Sequence, residues 1–324
     1  MQVRPATAAD VESSRGRFDD LLPDRWRGGN NRRSFVAVDP DGRVLGHCRG
    51  IDNDFHPASR VLVLKVLPDV RRQGVDDELL RAQMAVSSLS LHLKLTEPDR
   101  DLLALTERHG GVALQAMPPW RYLVGPELRD WAAAQPRPAG AVGPIRDAER
   151  DAALELFLEH YTAQHAAWSP AAPMRRLRAE FAADFTVGSD TAFDPGASVA
   201  LRRDGRLVAQ ALLYPPDPED PAVGRELGLQ SRPYAGPDAR ADLGACLAAA
   251  IGLVPDGAAL LIDCHLTERA EYRMMEQVPG PAPGGSWTAI VAIGGPGGRV
   301  PVPLPRDLLP EEAAWIRRMA QPGS

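Results

Sequence analysis

The chain has 324 residues, enough for two cores at roughly 100–200 residues per domain. Of its 37 basic residues only Lys65 and Lys94 are lysines, and 29 glycines and 31 prolines make up nearly a fifth of the chain, which reads as a high-GC coding bias and robs the arginine count of functional meaning. A net charge of −6 with both signs interspersed excludes a chain-wide basic footprint for nucleic acid, and three widely spaced cysteines, Cys48, Cys246 and Cys264, exclude a CxxC or Cys/His ligand pattern.

The start of the chain carries no basic-then-apolar signal, and the longest apolar helix candidate, 243–254, is too short to span a bilayer. The sequence therefore predicts a cytoplasmic protein without a membrane partner. Val3-Arg4-Pro5-Ala6 leads into a helix-period stretch. Residues 34–50, SFVAVDPDGRVLGHCRG, then form a hairpin pattern, two runs of apolar residues around Asp41-Gly42. A strand is predicted over 60–67, a helix from about residue 76 with Leu79, Leu80 and Met84 on one side, a strand over 89–95, a helix over 99–109, and a last strand over 120–124.

Residues 125–144 are rich in proline, alanine and glycine and read as a semi-rigid linker with a helical turn at 127–134. Beyond them the order repeats. Ile145-Arg146-Asp147-Ala148 opens a helical stretch, and SVALRRDGRLVAQALLY (198–214) is a second hairpin on the same Asp-Gly-Arg turn. Strand 225–229, helix 238–254, strand 259–264, helix 268–277 and strand 286–293 follow, with a capping helix over 310–319. The repetition points to an internal duplication. The expected domains are 1–125, a linker 126–144, a second domain 145–300 and a tail 301–324.

The segment with most chemistry is Val66-Leu67-Pro68-Asp69-Val70-Arg71-Arg72-Gln73-Gly74-Val75-Asp76, placed between a strand and a helix. A glycine-bent turn ahead of a helix N-terminus aims backbone N–H groups and the helix dipole at one spot, which suits a pyrophosphate. Arginines at 71 and 72 add charge-assisted donors. On these residues the chain resembles the GNAT superfamily of acyl-CoA-dependent N-acyltransferases, whose signature is Val-x-Pro-x-x-Arg-x-x-Gly-x-Gly/Ala. Val66, Pro68, Arg71 and Gly74 match it in register. The helix end Leu102-Leu103-Ala104-Leu105-Thr106-Glu107-Arg108-His109-Gly110 falls where the family has Ala-x-x-Leu-Tyr-Glu-x-x-Gly.

The resemblance implies an α/β fold of two tandem GNAT-like domains, each a mixed, mostly antiparallel twisted sheet flanked by helices. It also implies acetyl-CoA or another acyl-CoA as co-substrate, a small-molecule amine as acceptor, direct attack of that amine on the thioester, and a monomer or homodimer. Leu64, Lys65 and Val66 would contact the pantetheine and polarise the carbonyl. Arg71, Arg72, Gln73, Gly74, Val75 and Asp76 would hold the pyrophosphate.

The sequence also departs from the family. Asp76 stands where Gly or Ala is usual and is either a helix cap or a competitor of the phosphate. Thr106 replaces the tyrosine that protonates the leaving thiolate. In the second half the turn 229–238 has Pro233 at the arginine position, with Gly236 kept and Pro237 added, so that copy reads as degenerate.

Two alternatives stay open at this point: transfer of an aminoacyl or acyl group from aminoacyl-tRNA or another carrier, and an inactive ligand-binding protein. For the general base the sequence offers Asp52, Asp54 and His56 in the loop before the central strand, His92 on the strand 89–95, and His47 on the preceding strand. His160 and His165 do not share a helical face, and no Glu or Cys completes a ligand set, so no metal is expected.

Overall fold

The computed structural model describes residues 1–22, 34–71, 73–216, 224–233, 238–294 and 302–320. The chain forms two compact units. The first comprises residues 1–116, 167–170 and 288–324, and the second 117–166 and 171–287.

In the first unit a seven-stranded sheet has the order β1 (Gln2–Pro5), β2 (Ser34–Val38), β3 (Val44–Asp52), β4 (Ser59–Val66), β5 (Ser90–Thr96), β13 (Thr288–Ile293), β6 (Val112–Met117). The β2–β3 hairpin turns at Gly42, whose φ of +83° only glycine adopts without strain. β1 to β4 are antiparallel neighbours, and β4 and β5 run parallel. Helix α2 (Val75–Val86) packs on β2, β3 and β4 through Val75, Leu79, Leu80 and Gln83, a one-sided spacing that removes its apolar face from water. Helix α3 (Arg100–Arg108) buries Leu103, Leu105 and Thr106.

The second unit holds a six-stranded sheet in the order β7 (Arg121–Leu123), β12 (Ala259–Leu261), β11 (Arg225–Ser231), β10 (Arg206–Leu213), β9 (Val199–Arg203), β8 (Ala141–Pro144). Its β9–β10 turn puts both Asp204 and Gly205 at positive φ, 51° and 76°, the pairing a two-residue hairpin favours. Helix α7 (Ala239–Leu253) covers β9, β10 and β11 and buries nine of its residues, among them Leu243, Leu247 and Ile251. Helices α4 (Pro126–Ala133), α5 (Arg150–His165), α6 (Met174–Phe181) and α8 (Arg269–Met275) complete this unit's larger elements.

The fold is the expected one, two mixed sheets flanked by helices, but three details differ from the sequence reading. The strand expected over 120–124 is β7, but a further strand, β6, precedes it across Pro118-Pro119. β6 escaped notice because all six of its residues are buried, which erases the alternation that marks a half-exposed strand. The helical turn expected at 127–134 is α4, with proline in its first turn where no N–H is lost, but the linker stretch also contains a strand, β8. Finally, β13 is chemically a second-half strand yet lies beside β5 in the first sheet, while β7 of the first half lies beside β12 in the second.

Candidate functional site

In the first unit β4 and β5 are hydrogen-bonded only through Ser59–Ser90, Arg60–Leu91 and Val61–His92. From Leu62 onward β4 keeps β3 as its strand partner, through Leu64–Cys48 and Val66–Gly46. A cavity of about 420 Å³ opens along this part of β4, lined by Leu64, Lys65, Val66, Leu67, Pro68, Arg71 and Asp76 on one side and by Pro98, Asp99, Arg100, Asp101, Leu102 and Leu105 on the other, with Arg17 and Phe18. Five of the predicted donor-site residues, Leu64, Lys65, Val66, Arg71 and Asp76, are thus brought together. Gln73 is turned away, its side-chain N–H donating to Asp69 O at 3.0 Å. Arg72 lies outside the described residues.

Gly74 caps α2 in the left-handed region, φ +81°, and contributes no side chain to the first-turn N–H groups that every helix leaves without an internal partner. An added Cβ would meet nothing within 4 Å, so backbone conformation alone calls for glycine here. The electrostatics are mixed. Asp76, Asp77 and Glu78 crowd the first turn, and the Asp77 N–H donates to Asp76 Oδ1 at 3.0 Å. Asp77 itself is held by His109 Nε2 at 2.8 Å and by Arg81 at 2.6 Å. A second, shallower cavity of about 380 Å³ adjoins this helix start, lined by Gly74, Asp76, Asp77, Asp101, Ala104 and Arg108.

Beside the cavity, Lys65 Nζ is 2.9 Å from Asp20 Oδ2, and His47 Nε2 is 3.0 Å from Asp20 Oδ1. Burial raises the Asp20 carboxyl, but the bonds from Lys65 and His47 outweigh it and hold the group low. Burial also lowers the His47 imidazole, against the pull of Asp20. Arg17, Phe18, Asp20 and the 98–102 turn were missed at the sequence level. They lie far from the motif along the chain, and no spacing rule links them to it.

None of the five predicted bases lines the cavity. Asp52 is paired with the buried Arg60 at 3.4 Å. His56 holds Ser169 O through Nδ1 at 2.7 Å and stands 6.4 Å, centroid to centroid, from the Trp168 ring. His92, at the last β4–β5 pair, is buried with its Nε2 3.0 Å from Ser90 Oγ. Burial first, and the neighbouring His56 second, push its imidazole down to about 4. Asp54 is half-buried in the loop between β3 and β4. His56 and His92 are therefore electrostatic neighbours, while Asp52 belongs to a separate ion pair. Thr106 is also settled: its hydroxyl is buried and donates to Leu102 O of its own helix at 2.7 Å, so it does not replace an acid aimed at the cavity.

In the second unit the degenerate turn is described only as far as Pro233; Gly236 and Pro237 lie outside the described residues. His160 has Glu268 at 2.6 Å, and His165 bonds the Tyr161 carbonyl of its own helix at 2.8 Å. Burial disfavours the charged forms of both His160 and Glu268, yet their mutual attraction wins, raising the imidazole and holding Glu268 down to about 2. Burial, with the charge of Glu268, pushes Glu271 well above the usual carboxylate range. The expectation that nothing would complete a ligand set around His160 is corrected here: Glu268 and Glu271 arrive from the far end of the unit, beyond the reach of local spacing.

No family model matches the sequence, and no curated protein does. Solved structures do. A tandem GNAT protein from the clavulanic acid biosynthesis pathway aligns over 90% of this chain and 97% of its own, with a TM-score of 0.55 at 15% identity. A GCN5-related N-acetyltransferase from Sphaerobacter thermophilus covers 90% and 94%, with a TM-score of 0.51 at 14% identity. A conserved Enterococcus faecalis protein of unknown function, described as a probable N-acyltransferase, covers 90% and 72% with a TM-score of 0.50 at 12% identity. The chain has the tandem GNAT fold.

Proposed function

We propose that the protein is an N-acyltransferase that uses an acyl-CoA, most simply acetyl-CoA, to acylate a primary amine of a small molecule. The observation that carries this reading is the cavity along β4 beyond its last pair with β5, flanked by the β4 backbone, a mixed apolar and charged wall and Arg71. An extended pantetheine chain would run along Leu64 to Val66, and its pyrophosphate would meet Arg71 and the start of α2.

In the reaction the amine nitrogen attacks the thioester carbonyl, the carbon–sulfur bond breaks, and the amine proton leaves to a base. A backbone N–H of β4 would stabilise the developing oxyanion. None of the predicted bases lines the cavity, so we favour His92 acting on the amine through a bridging water. His92 marks the point where β4 and β5 part, and burial keeps it neutral at pH 7 with a lone pair to receive the proton. With Thr106 engaged elsewhere, the thiolate would take its proton from water.

The acidic start of α2 favours a second reading, a GNAT-fold protein that binds a ligand without turnover. Transfer from aminoacyl-tRNA would need a basic docking surface, and the net charge of −6 lends it no support.

Calorimetry with CoA, then a thiol-release assay with acetyl-CoA and a panel of amines, tests the proposal. All three cysteines are buried with thiols raised by burial, Cys246 up to about 12, so the chain's own thiols contribute little background. Binding weakened about tenfold or more by Arg71→Ala, together with thiol release on adding an amine, supports the reading. CoA binding without release with any amine favours the second reading, and absence of CoA binding rejects both donor-site assignments.

A further inference from the structure

The second unit carries a side-chain cluster that the acyl-transfer reading does not use. His160 on α5, Glu268 at the cap of α8 and Glu271 within α8 each offer one donor atom, and the three atoms lie within 4.8 Å of one another. No other group of three His, Cys, Asp or Glu side chains is this close among the described residues. We propose that His160, Glu268 and Glu271 form a binding site for one divalent transition-metal ion of the zinc class.

The tautomer of His160 is set by its surroundings. Its Nδ1 lies 3.1 Å from the Ser231 carbonyl at the end of β11, and with an N–H donated there, release of the Nε2 proton that bonds Glu268 would leave the Nε2 lone pair directed at the carboxylates. This is the arrangement by which a backbone carbonyl orients a metal-binding imidazole. Glu268 is similarly steadied. Gln164 Nε2 donates to its Oε2 at 2.7 Å, which leaves Oε1 facing His160.

The third member adds an independent sign. Glu271 is 98% buried; its carboxyl bonds Glu268, but its Oε1 has no hydrogen-bond partner. A buried oxygen is rarely left so, and a cation at the centre of the cluster would satisfy it.

The donor set selects the ion. One imidazole and two carboxylates at such short range suit zinc-like ions, whose bonds to nitrogen and oxygen are about 2.0–2.2 Å, whereas calcium and magnesium require a larger all-oxygen shell. In a tetrahedral site such bonds hold donors about 3.3 Å apart. The 2.6 Å His160–Glu268 contact would therefore open by about 0.7 Å, which side-chain rotation allows. His160 and Glu268 keep 15% and 10% of their side chains exposed, so the cluster is not sealed from solvent. Neither neighbouring donor joins the set: His265 Nδ1 is 2.6 Å from Gln164 Nε2, and the Cys264 thiol bonds a backbone carbonyl.

The test uses the full chain, stripped with a chelator and titrated with Zn²⁺ against a chromophoric competitor, with unfolding temperature as a second readout. One equivalent bound at about 10 μM protein, with a raised midpoint, is expected. Glu271→Gln preserves the shape of the side chain, so its metal-free midpoint should match that of the wild type while its zinc affinity falls at least about tenfold. His160→Asn should do the same to affinity. Co²⁺ substitution of the wild-type protein should give the intense visible bands of a four-coordinate ion, a readout independent of either variant's folding. Absence of stoichiometric zinc uptake, undiminished uptake by Glu271→Gln, or a six-coordinate cobalt spectrum overturns the site. None of these outcomes bears on CoA binding, so the two proposals stand or fall separately.

Discussion

The Asp77 N–H points to its neighbour Asp76, whose Oδ1 accepts it at 3.0 Å on the rim of the first-unit cavity. Asp76 thus occupies one of the donors that an anion at this helix start would want, and its charge opposes that anion.

Removing the carboxylate should therefore tighten donor binding. Asp76→Ala restores a small residue at the second helical position and takes away a charge whose interaction with a helix terminus is worth about 0.3–1 kcal/mol, more in a partly buried setting. The expected result is a CoA dissociation constant lowered about two- to tenfold by calorimetry, with the difference shrinking as salt is raised. An unchanged constant would mean that the carboxylate swings clear of the phosphates.

His92 should separate chemistry from binding. If it is the base, His92→Gln lowers kcat about 100-fold or more while KM for acetyl-CoA stays within about twofold. The wild-type rate should lose activity only at low pH, near the His92 value of about 4, because the neutral imidazole is the working form above it. Equal losses in kcat and in thermal stability would instead make His92 a packing residue.

Asp10 gives a pH prediction for stability. Its carboxylate takes two bonds from Arg4, at 2.6 and 2.8 Å, and others from Thr7, and these outweigh burial to lower it to about 2. A group depressed in the folded state stabilises above its unfolded value near 3.9, and that contribution disappears as pH falls toward 2. Asp10→Asn should cost about 1–3 kcal/mol at pH 7 in denaturant titrations and flatten the loss of stability between pH 4 and pH 2.

Gly140 should tolerate no side chain. It adopts φ +119°, and an added Cβ would sit 2.3 Å from the Arg202 carbonyl oxygen, a backbone atom that cannot step aside. Gly140→Ala should lower stability by about 2–4 kcal/mol, whereas Gly257→Ala, with positive φ but open space, should cost only about 1–2 kcal/mol. Urea midpoints of the two variants compare them directly.

Local order was readable from residues that act locally. Asp41-Gly42 and Asp204-Gly205 announced the two hairpins, and Gly74 announced the strand-to-helix turn, because each is a backbone requirement written in one or two positions. Half the donor site followed from that turn. The opposite wall at Pro98 to Leu102, the Asp20 bridge between Lys65 and His47, and the meeting of His160 with Glu268 and Glu271 did not, because tertiary packing alone joins them. β6 and the destination of β13 were hidden for a different reason: a fully buried strand has no alternation, and nothing within Thr288–Ile293 states which sheet will accept it.

The position of β13 has a consequence for synthesis. Its six residues fill the slot between β5 and β6, so the sheet begun at Gln2 is closed by a strand the ribosome delivers only after residue 293 has left the tunnel. Until then β5 presents an open, apolar edge, the kind of surface on which nascent chains aggregate or recruit chaperones. Pairing across so long a stretch of sequence also makes closure slow. The donor cavity borders this same sheet, so a nascent chain would acquire a finished site only once β13 has emerged, in one late step.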